Sequence, residues 1–303
     1  MIKENKTIRI GTRASPLALV QANHVKSLLE KAGHDAIEIV RFTTSGDKIQ
    51  DKKLTEFGGK GLFTKEIEQG LLEDTIDIAV HSMKDVATIL PDGLAIPCVL
   101  QREDPRDVWV SNKAESFLDL PEGATVGTAS LRRGAQVLAH RPDLKIVTFR
   151  GNVGTRIEKL NRGDADGTLL ALAGLNRLGK RDVATSIIEP QVMLPAPAQG
   201  AIGLQCRTDD VRIHQVLAPL NHQMTKDLIG LERLFLRYMD GSCRTPIAAL
   251  AQQDDSDYTL QVFASTSDGK SVYQNTCSGS LQYLEEQIPL MAAEAKPVMG
   301  AFA

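Results

Sequence analysis

The chain contains one local pattern twice, and this repeat is the feature that most limits its fold. In each copy a short apolar strand ends in a Gly-Thr turn, at residues 10–15 and again at residues 126–130, and a helical segment follows. A second strand then follows each copy, at residues 39–42 and 146–149. Strands that alternate with helices are typical of parallel sheets. We therefore predict two α/β lobes of similar design, arranged one after the other along the chain.

The rest of the chain predicts how the lobes are completed and where a third domain begins. An apolar segment at residues 199–206 is expected to return to the first sheet. From residue 221 a long helix with an apolar stripe precedes two alternating segments, and these are joined by Asp268-Gly269, a pair typical of hairpin turns. We predict a small α+β C-terminal domain here. The predicted boundaries are residues 1–100 with 200–218 for the first lobe, 105–195 for the second lobe and 222–303 for the third domain.

Composition and charge exclude several classes of protein. The chain has 303 residues and a net charge of -3, and 4% of its residues are aromatic, which argues against a nucleic-acid partner. No apolar run approaches the ~20 residues that span a bilayer. Residues 1–6 lack the apolar core of a secretory signal. The four cysteines form no CxxC pair, so we predict no metal site. We expect a cytoplasmic monomer without a membrane partner.

Seven basic residues nevertheless stand at strand ends or in glycine-rich turns: Arg13, Lys60, Lys84, Arg132, Arg133, Arg150 and Arg156. Arginine binds a carboxylate through two parallel hydrogen bonds, and α/β sheets bind ligands beyond the carboxyl ends of their strands. The pattern indicates one cleft, shared by the lobes, for a ligand that carries many carboxylates or phosphates. Thr155 with Glu158 predicts a capping box, whose helix start would add N–H donors for an anion. Ser15 followed by Pro16 predicts another helix start.

Two further residues point to chemistry, although each has a plain alternative. Asp85 lies among basic residues that keep a carboxylate ionised, where it can stabilise a cation or transfer protons, but an aspartate at a strand end is often structural. Cys243 lies in a small-residue turn beside Arg244, which can lower the pKa of its thiol, but a loop cysteine is often incidental. The glycine-rich segment around Lys60 does not match a phosphate loop and is expected to form a flexible lid. Cys98, Cys206 and Cys277 are interpreted as packing thiols.

Eight motifs, taken together and in this order, resemble the porphobilinogen deaminase family. They are GTRASPLA at 11–18, GGKGLF at 58–63, HSMKD at 81–85, REDPRD at 102–107, SLRR at 130–133, RGNVGTR at 150–156, QGA at 199–201 and GSC at 241–243. Each motif alone is modest support, whereas the ordered set is highly specific and extends from about residue 8 to residue 246.

The resemblance implies an activity and a cofactor. It implies a hydroxymethylbilane synthase, a transferase that joins four porphobilinogen molecules head to tail with loss of ammonia and then releases the linear product by hydrolysis, for tetrapyrrole (heme) biosynthesis. It implies two lobes like those of type II periplasmic binding proteins, and a third domain in which Cys243 carries a dipyrromethane through a thioether. Each pyrrole bears an acetate and a propionate, which would explain an arginine-rich cleft in an acidic protein.

The resemblance also implies roles for individual residues. Asp85 would be the catalytic residue, which stabilises the cation left by loss of ammonia and manages protons. The family positions that bind the cofactor correspond to Ser15, Asp47, Lys84, Ser130, Arg132, Arg133, Arg150 and Arg156, with Cys243 as the tether. The family positions that bind substrate correspond to Arg13, Lys60, Phe63, Arg177 and Gln199.

The chain departs from the family pattern at a few positions. Glu56 stands where close bacterial relatives carry a lysine in the lid, and Ala129 replaces a serine in the turn before Leu131. Residues 295–300 fit the final helix of the family poorly and are expected to be frayed or irregular.

Two other functions remain open at this point. The first is a bilobed anion-binding protein without catalysis, which would leave Cys243 unused and would need export. The second is an enzyme for phosphorylated substrates, for which the chain lacks a phosphate-loop motif and an evident magnesium cluster. The discriminating observation is whether Cys243 is modified.

Overall fold

A computed structural model describes residues 6–48, 63–241, 245–255 and 257–299. The backbone forms two compact units, Met1–Arg102 with Ala201–Lys226 and Glu103–Gly200 with Asp227–Ala303. The strands are β1 (Ile8–Arg13), β2 (Ile37–Phe42), β3 (Ile78–Ser82), β4 (Leu94–Val99), β5 (Asp107–Val110), β6 (Thr125–Gly127), β7 (Lys145–Val147), β8 (Gly167–Ala171), β9 (Ser186–Ile188), β10 (Ile202–Arg207), β11 (Ile247–Asp254), β12 (Asp257–Ser265) and β13 (Val272–Gly279). The helices are α1 (Pro16–Lys31), α2 (Ser45–Lys48), α3 (Lys65–Leu72), α4 (Leu131–His140), α5 (Val153–Asn161), α6 (Leu172–Arg177), α7 (Val211–Leu217), α8 (Gln223–Tyr238) and α9 (Leu281–Ala295).

The first unit contains a five-stranded sheet in the order β2-β1-β3-β10-β4. β1 is parallel to β2 and β3, whereas β10 runs antiparallel to β3 and β4. The expected return of the chain to the first sheet is therefore confirmed. α1 begins as its sequence predicts, because the Ser15 side chain accepts a hydrogen bond from the Ala18 N–H and Pro16 opens the helix.

The second unit contains a five-stranded sheet in the order β7-β6-β8-β5-β9. β6 is parallel to β7 and β8, and β5 is the antiparallel strand, so this sheet has the same design as the first. The predicted α/β class with two similar lobes is confirmed. The domain boundaries given above stay a prediction.

A glycine under an aromatic ring explains why the sequence pattern occurs twice. A Cβ atom on Gly11 would lie 3.2 Å from the Phe42 ring and 2.3 Å from Ile76. A Cβ atom on Gly127 would lie 2.6 Å from the Phe149 ring. In both lobes a phenylalanine ring packs on the glycine of the first strand, and it lies at the end of β2 in one lobe and two residues after β7 in the other, so each site requires the same pair of residue types.

The second unit also contains an antiparallel sheet, β11-β12-β13. One face packs on α8 and α9 through a core that includes Leu231, Phe235, Val262 and Ile288. α9 ends at Ala295, and a 3-10 helix at Lys296–Met299 continues it, so the expectation of a frayed or irregular segment is wrong for residues 295–299. The predicted hairpin turn lies between β12 and β13.

The hairpin turn packs directly on a helix of the second lobe. Gly269 has φ +71°, and a Cβ atom there would lie 2.5 Å from the Ala135 oxygen and 2.6 Å from the Ala139 nitrogen in α4. Neither backbone atom can move without distorting the helix. Only glycine satisfies both the left-handed conformation and the close approach.

Replacement Gly269→Ala should lower the free energy of unfolding by about 2–4 kcal/mol, the sum of a left-handed-region penalty and an overpacking penalty. The matched control is Gly123→Ala, since Gly123 has φ +73° and no described atom within 4 Å of its added Cβ. The control should lose only about 1–2 kcal/mol. Urea unfolding of both variants measures the difference, and equal losses would show that the contact with α4 contributes nothing.

Candidate functional site

In the first unit, predicted site residues follow two neighbouring parallel strands. Arg13 ends β1, Ser15 caps α1, and Lys84 and Asp85 lie in a 3-10 turn that follows β3. Because β1 and β3 are parallel, these residues lie at one edge of the sheet. Phe63 joins them, since the Arg13 guanidinium lies 4.4 Å from the centre of its ring, a cation–π contact that orients the arginine.

The turn that carries Asp85 is fixed to its surroundings by the buried Met83. The Met83 N–H donates to the Ala201 oxygen over 3.0 Å, and the Val86 N–H closes the turn on the Met83 oxygen. Gly203 provides the space, because a Cβ atom there would lie 2.1 Å from the Met83 Sδ. The half-buried Asp85 carboxylate makes no hydrogen bond or ion pair to another described residue. The turn therefore presents a carboxylate that no other described residue engages.

A buried polar chain connects β3 to α3. His81 Nε2 lies 2.9 Å from Gln205 Oε1, and Gln205 Nε2 donates to Glu68 Oε1 over 3.2 Å. Thr64 donates to the other Glu68 oxygen over 3.2 Å. Burial lowers the pKa of His81 to about 4, so the ring is neutral at pH 7 and donates from Nε2. His81 is therefore a structural link and not a proton carrier at neutral pH.

In the second unit, the carboxyl ends of β6, β7 and β8 supply the other predicted residues. Ser130 caps α4 by accepting a hydrogen bond from the Arg133 N–H, and Arg177 ends α6, which follows β8. The prediction that Thr155 caps α5 is wrong. Asn152 is the cap, with its Oδ1 3.0 Å from the Thr155 nitrogen, and the helix begins at Val153. The polar sequence before α5 offers two caps, and the earlier one is used because Gly151, at φ +110°, allows the chain to turn there.

Arg132 and Arg133 are buried around an aspartate that the sequence did not single out as a site residue. Asp107 has no exposed surface, and its two oxygens each lie 2.7 Å from one guanidinium, Oδ2 from Arg132 Nη2 and Oδ1 from Arg133 Nη2. Gln199, also buried, donates to Asp107 Oδ1 over 2.8 Å and to the Pro105 oxygen over 2.7 Å. Burial alone would raise the pKa of Asp107, but the two arginines and these hydrogen bonds hold it well below its usual range.

Arg132 and Arg133 share a single acid, so positive charge exceeds negative charge in this cluster. The Nε atoms of Arg132 and Arg133 are buried and have no hydrogen-bond partner among the described residues. Burial, followed by the charge of Arg133, lowers the pKa of Arg156 to about 10, so this side chain stays charged at pH 7. Arg177 donates to the Gly200 oxygen over 2.6 Å. No described acid lies within ion-pair distance of Arg150 or Arg156. Buried donors without acceptors and uncompensated positive charge fit a ligand with several carboxylates.

Several predicted residues cannot be placed in these two sets. Lys60, Cys243 and the departure at Glu56 lie outside the described residues, and Asp47 lies in α2 with its side chain outside them. The two sets lie on different units, and the shared cleft stays a prediction.

Cys98 and Cys206 are buried in the first sheet, where burial raises the pKa of their thiols to about 12 and about 11, so their interpretation as packing residues is confirmed.

The described part of the chain lacks two kinds of feature. There, no group of three or more His, Cys, Asp or Glu side chains is arranged to hold a metal ion. Within the same residues, no helix has both the length and the apolar character needed to cross a membrane.

Comparison with known sequences gives a consistent result over nearly the whole chain. Family models match residues 8–215, as the porphobilinogen deaminase dipyromethane cofactor binding domain, and residues 228–295, as the porphobilinogen deaminase C-terminal domain. A chloroplastic porphobilinogen deaminase of Oryza sativa subsp. japonica is 51% identical over 91% of this chain and 79% of its own length. A porphobilinogen deaminase of Nitrobacter winogradskyi is 52% identical over 89% of this chain and 87% of its own length.

Solved structures similar to this chain include the VFT2 domain of BvgS from Bordetella pertussis. It is 15% identical, with a TM-score of 0.43 over 74% of this chain and 92% of that domain. A periplasmic substrate-binding protein of an ABC transporter from Coxiella burnetii is 15% identical, with a TM-score of 0.45 over 73% of this chain and 94% of its own.

Proposed function

The chain belongs to the porphobilinogen deaminase family, and we propose that it makes hydroxymethylbilane from four porphobilinogen molecules on a dipyrromethane that is tethered to Cys243. It is thus a transferase of tetrapyrrole biosynthesis. The observation that carries the proposal is the arginine-rich set of the second unit, in which buried Nε donors have no partner among the described residues.

The charge of the reactants fits this set. Every pyrrole ring brings an acetate and a propionate, and guanidinium groups bind such carboxylates through paired hydrogen bonds. We assign cofactor carboxylates to Lys84, Arg132, Arg133, Arg150 and Arg156, with the hydroxyl of Ser130 beside them. Ser15 and Asp47 complete the proposed cofactor residues. The excess of arginine over acid in the buried cluster around Asp107 would otherwise be an uncompensated cost of burial.

Substrate binding is assigned to a smaller group of residues. Arg13, which stacks on Phe63, is proposed to bind a substrate carboxylate while the ring contacts the pyrrole. Arg177 and Lys60 are proposed to bind the remaining substrate carboxylate. Gln199 donates to Asp107, so we propose that it acts on the ligand through that carboxylate.

Asp85 is proposed to carry the chemistry of each condensation. The substrate's protonated aminomethyl group loses ammonia, and the electrons of the broken C–N bond leave with it, so a cation conjugated with the pyrrole nitrogen remains. A fixed carboxylate stabilises that positive charge, and His81 is neutral and already engaged. When bound, the cofactor supplies the pyrrole α-carbon that bonds to the aminomethyl carbon of the first substrate. A carboxylate such as that of Asp85 can accept the proton that this α-carbon loses.

The organisation expected from the sequence forms part of the proposal. We propose the three domains with the boundaries given above, which is supported by the three separate sheets. We also propose a cytoplasmic monomer without nucleic-acid or membrane partners. The Oryza sativa relative is named as chloroplastic, so location is to be tested in the source cell, and gel filtration tests the monomer.

The test of the proposed function is the intact mass of the purified, denatured protein, together with conversion of porphobilinogen. We expect a mass excess of two deaminated pyrrole units on the peptide that contains Cys243, and formation of hydroxymethylbilane. An unmodified protein is incubated with porphobilinogen and weighed again. If no adduct then forms, the chain is the bilobed anion-binding protein that was the alternative.

A further inference from the structure

We propose that Asp107 is a positioning residue, which acts through Arg132 and Arg133 to fix the donors that receive the cofactor's carboxylates. This inference rests on the function proposed above. Asp107 is the first residue of β5 and pairs with Ala171, the last residue of β8. The buried carboxylate thus lies at the edge of the second sheet where the proposed cofactor residues gather.

Asp107 divides its two oxygens between the two arginines. Oδ2 pairs with Arg132, while Oδ1 pairs with Arg133 and accepts from Gln199. A single acid therefore sets the spacing of two guanidinium groups. The hydrogen bond from Gln199, which lies 92 positions further along the chain, also joins the two guanidinium groups to the segment after the second sheet.

Each guanidinium is held at a second point by a backbone oxygen. Arg132 Nη1 donates to the Leu194 oxygen over 2.6 Å, and Arg133 Nη1 donates to the Leu169 oxygen over 2.9 Å. Two fixed Nη atoms determine the plane of a guanidinium group. The Nε atoms, which have no described partner, then point in directions that are fixed before a ligand binds. Donors fixed before binding lose less entropy when a carboxylate arrives.

The charge of the cluster supports the same role. One carboxylate stands between two guanidinium groups that would otherwise repel each other in a buried environment. With Asp107 the cluster keeps one positive charge in excess, which an anionic ligand can compensate. Without Asp107 the repulsion would drive the two side chains apart, and their donors would lose the spacing that Asp107 sets.

The experiment measures loading of the cofactor rather than turnover. Full-length apo-protein, produced in cells that cannot make porphobilinogen, is mixed with porphobilinogen, and its intact mass is followed over time. Asp107→Asn should load about tenfold or more slowly than the unchanged chain, because its arginines are no longer pre-organised. Folding of each sample is verified by its thermal transition. If the unchanged chain itself gains no mass, the proposed function fails; if it loads and Asp107→Asn loads equally fast, only this inference fails.

Asp166→Asn is the matched control. Asp166 is also an ionised aspartate of the second unit, and it pairs with Lys113 and accepts a hydrogen bond from the Thr125 N–H over 2.6 Å. It lies at the opposite edge of the sheet, where β6 and β8 begin. Asp166→Asn should destabilise the protein yet load at the normal rate. Equal slowing in both variants would mean that loading follows stability alone, which would overturn the inference.

Two more variants distinguish the position of the Asp107 carboxylate from its charge. They also test the inference if Asp107→Asn does not fold. Asp107→Glu keeps the charge but shifts the carboxylate by one methylene, and it should also slow loading. A folded Asp107→Glu protein that loads normally would overturn the inference. Asp107→Asn combined with Arg132→Gln restores the net charge of the cluster, and its slowing should be smaller than the product of the two single slowings, because part of the effect of Asp107 passes through that arginine. Additive slowing would contradict this route of action.

Discussion

Replacement Asp85→Ala should reduce the turnover of porphobilinogen by roughly 10³-fold or more while the protein stays folded. The carboxylate is the group assigned to stabilise the substrate-derived cation and to accept the displaced proton. His81, four positions earlier, cannot substitute, because burial lowers its pKa to about 4 and its Nε2 is engaged by Gln205. Turnover is measured by formation of hydroxymethylbilane under saturating porphobilinogen.

The fold should persist because the turn does not depend on the carboxylate. Met83 fixes the turn through its N–H and its buried side chain, and Asp85 has no described hydrogen-bond or ion-pair partner. The melting temperature should therefore change by no more than about 2 °C. Asp92→Ala is the control, since Asp92 is an exposed aspartate of the same unit, and it should leave turnover unchanged. Normal turnover in Asp85→Ala would remove Asp85 from the mechanism.

Local features of the fold were predictable from the sequence, because short-range physical rules determine them. The Ser15 cap, the Asp268-Gly269 turn and the repeat of glycine with phenylalanine each depend on neighbouring residues or on one strand–turn–helix unit. The return of β10 to the first sheet was also predictable, since an apolar segment must be buried somewhere and the first sheet was incomplete.

The partners of the site residues could not be predicted in the same way. Gln205 is 124 positions from His81, and Asp107 is 26 positions from Arg133, so no local pattern connects them. The arginines were identified because basic residues stand out in small-residue turns. Their burial around one acid depends on the register of β5 against β8, which alternation of residues does not specify.

Replacement Cys243→Ser should yield a protein that never gains the mass of the cofactor, has no turnover and melts at a lower temperature than the loaded protein. Serine has nearly the same size as cysteine but does not form the thioether. A ligand held only by the native state stabilises that state, so its loss should lower the melting temperature by about 5 °C or more. The arginines of the second unit add to this effect, because their buried Nε atoms would lose their acceptors.

The comparison that isolates the tether uses a second cysteine of the same unit. Cys277 lies half-buried in β13, so Cys277→Ser tests the general effect of losing a thiol there. That variant should keep the adduct and the activity, whereas Cys243→Ser should match unloaded, otherwise unchanged protein in mass and melting temperature. Equal melting of Cys243→Ser and the loaded protein would mean that the cofactor does not stabilise the fold. An adduct that persisted in Cys243→Ser would place the tether on another side chain, and the arginine set would then have to be reconsidered around that residue.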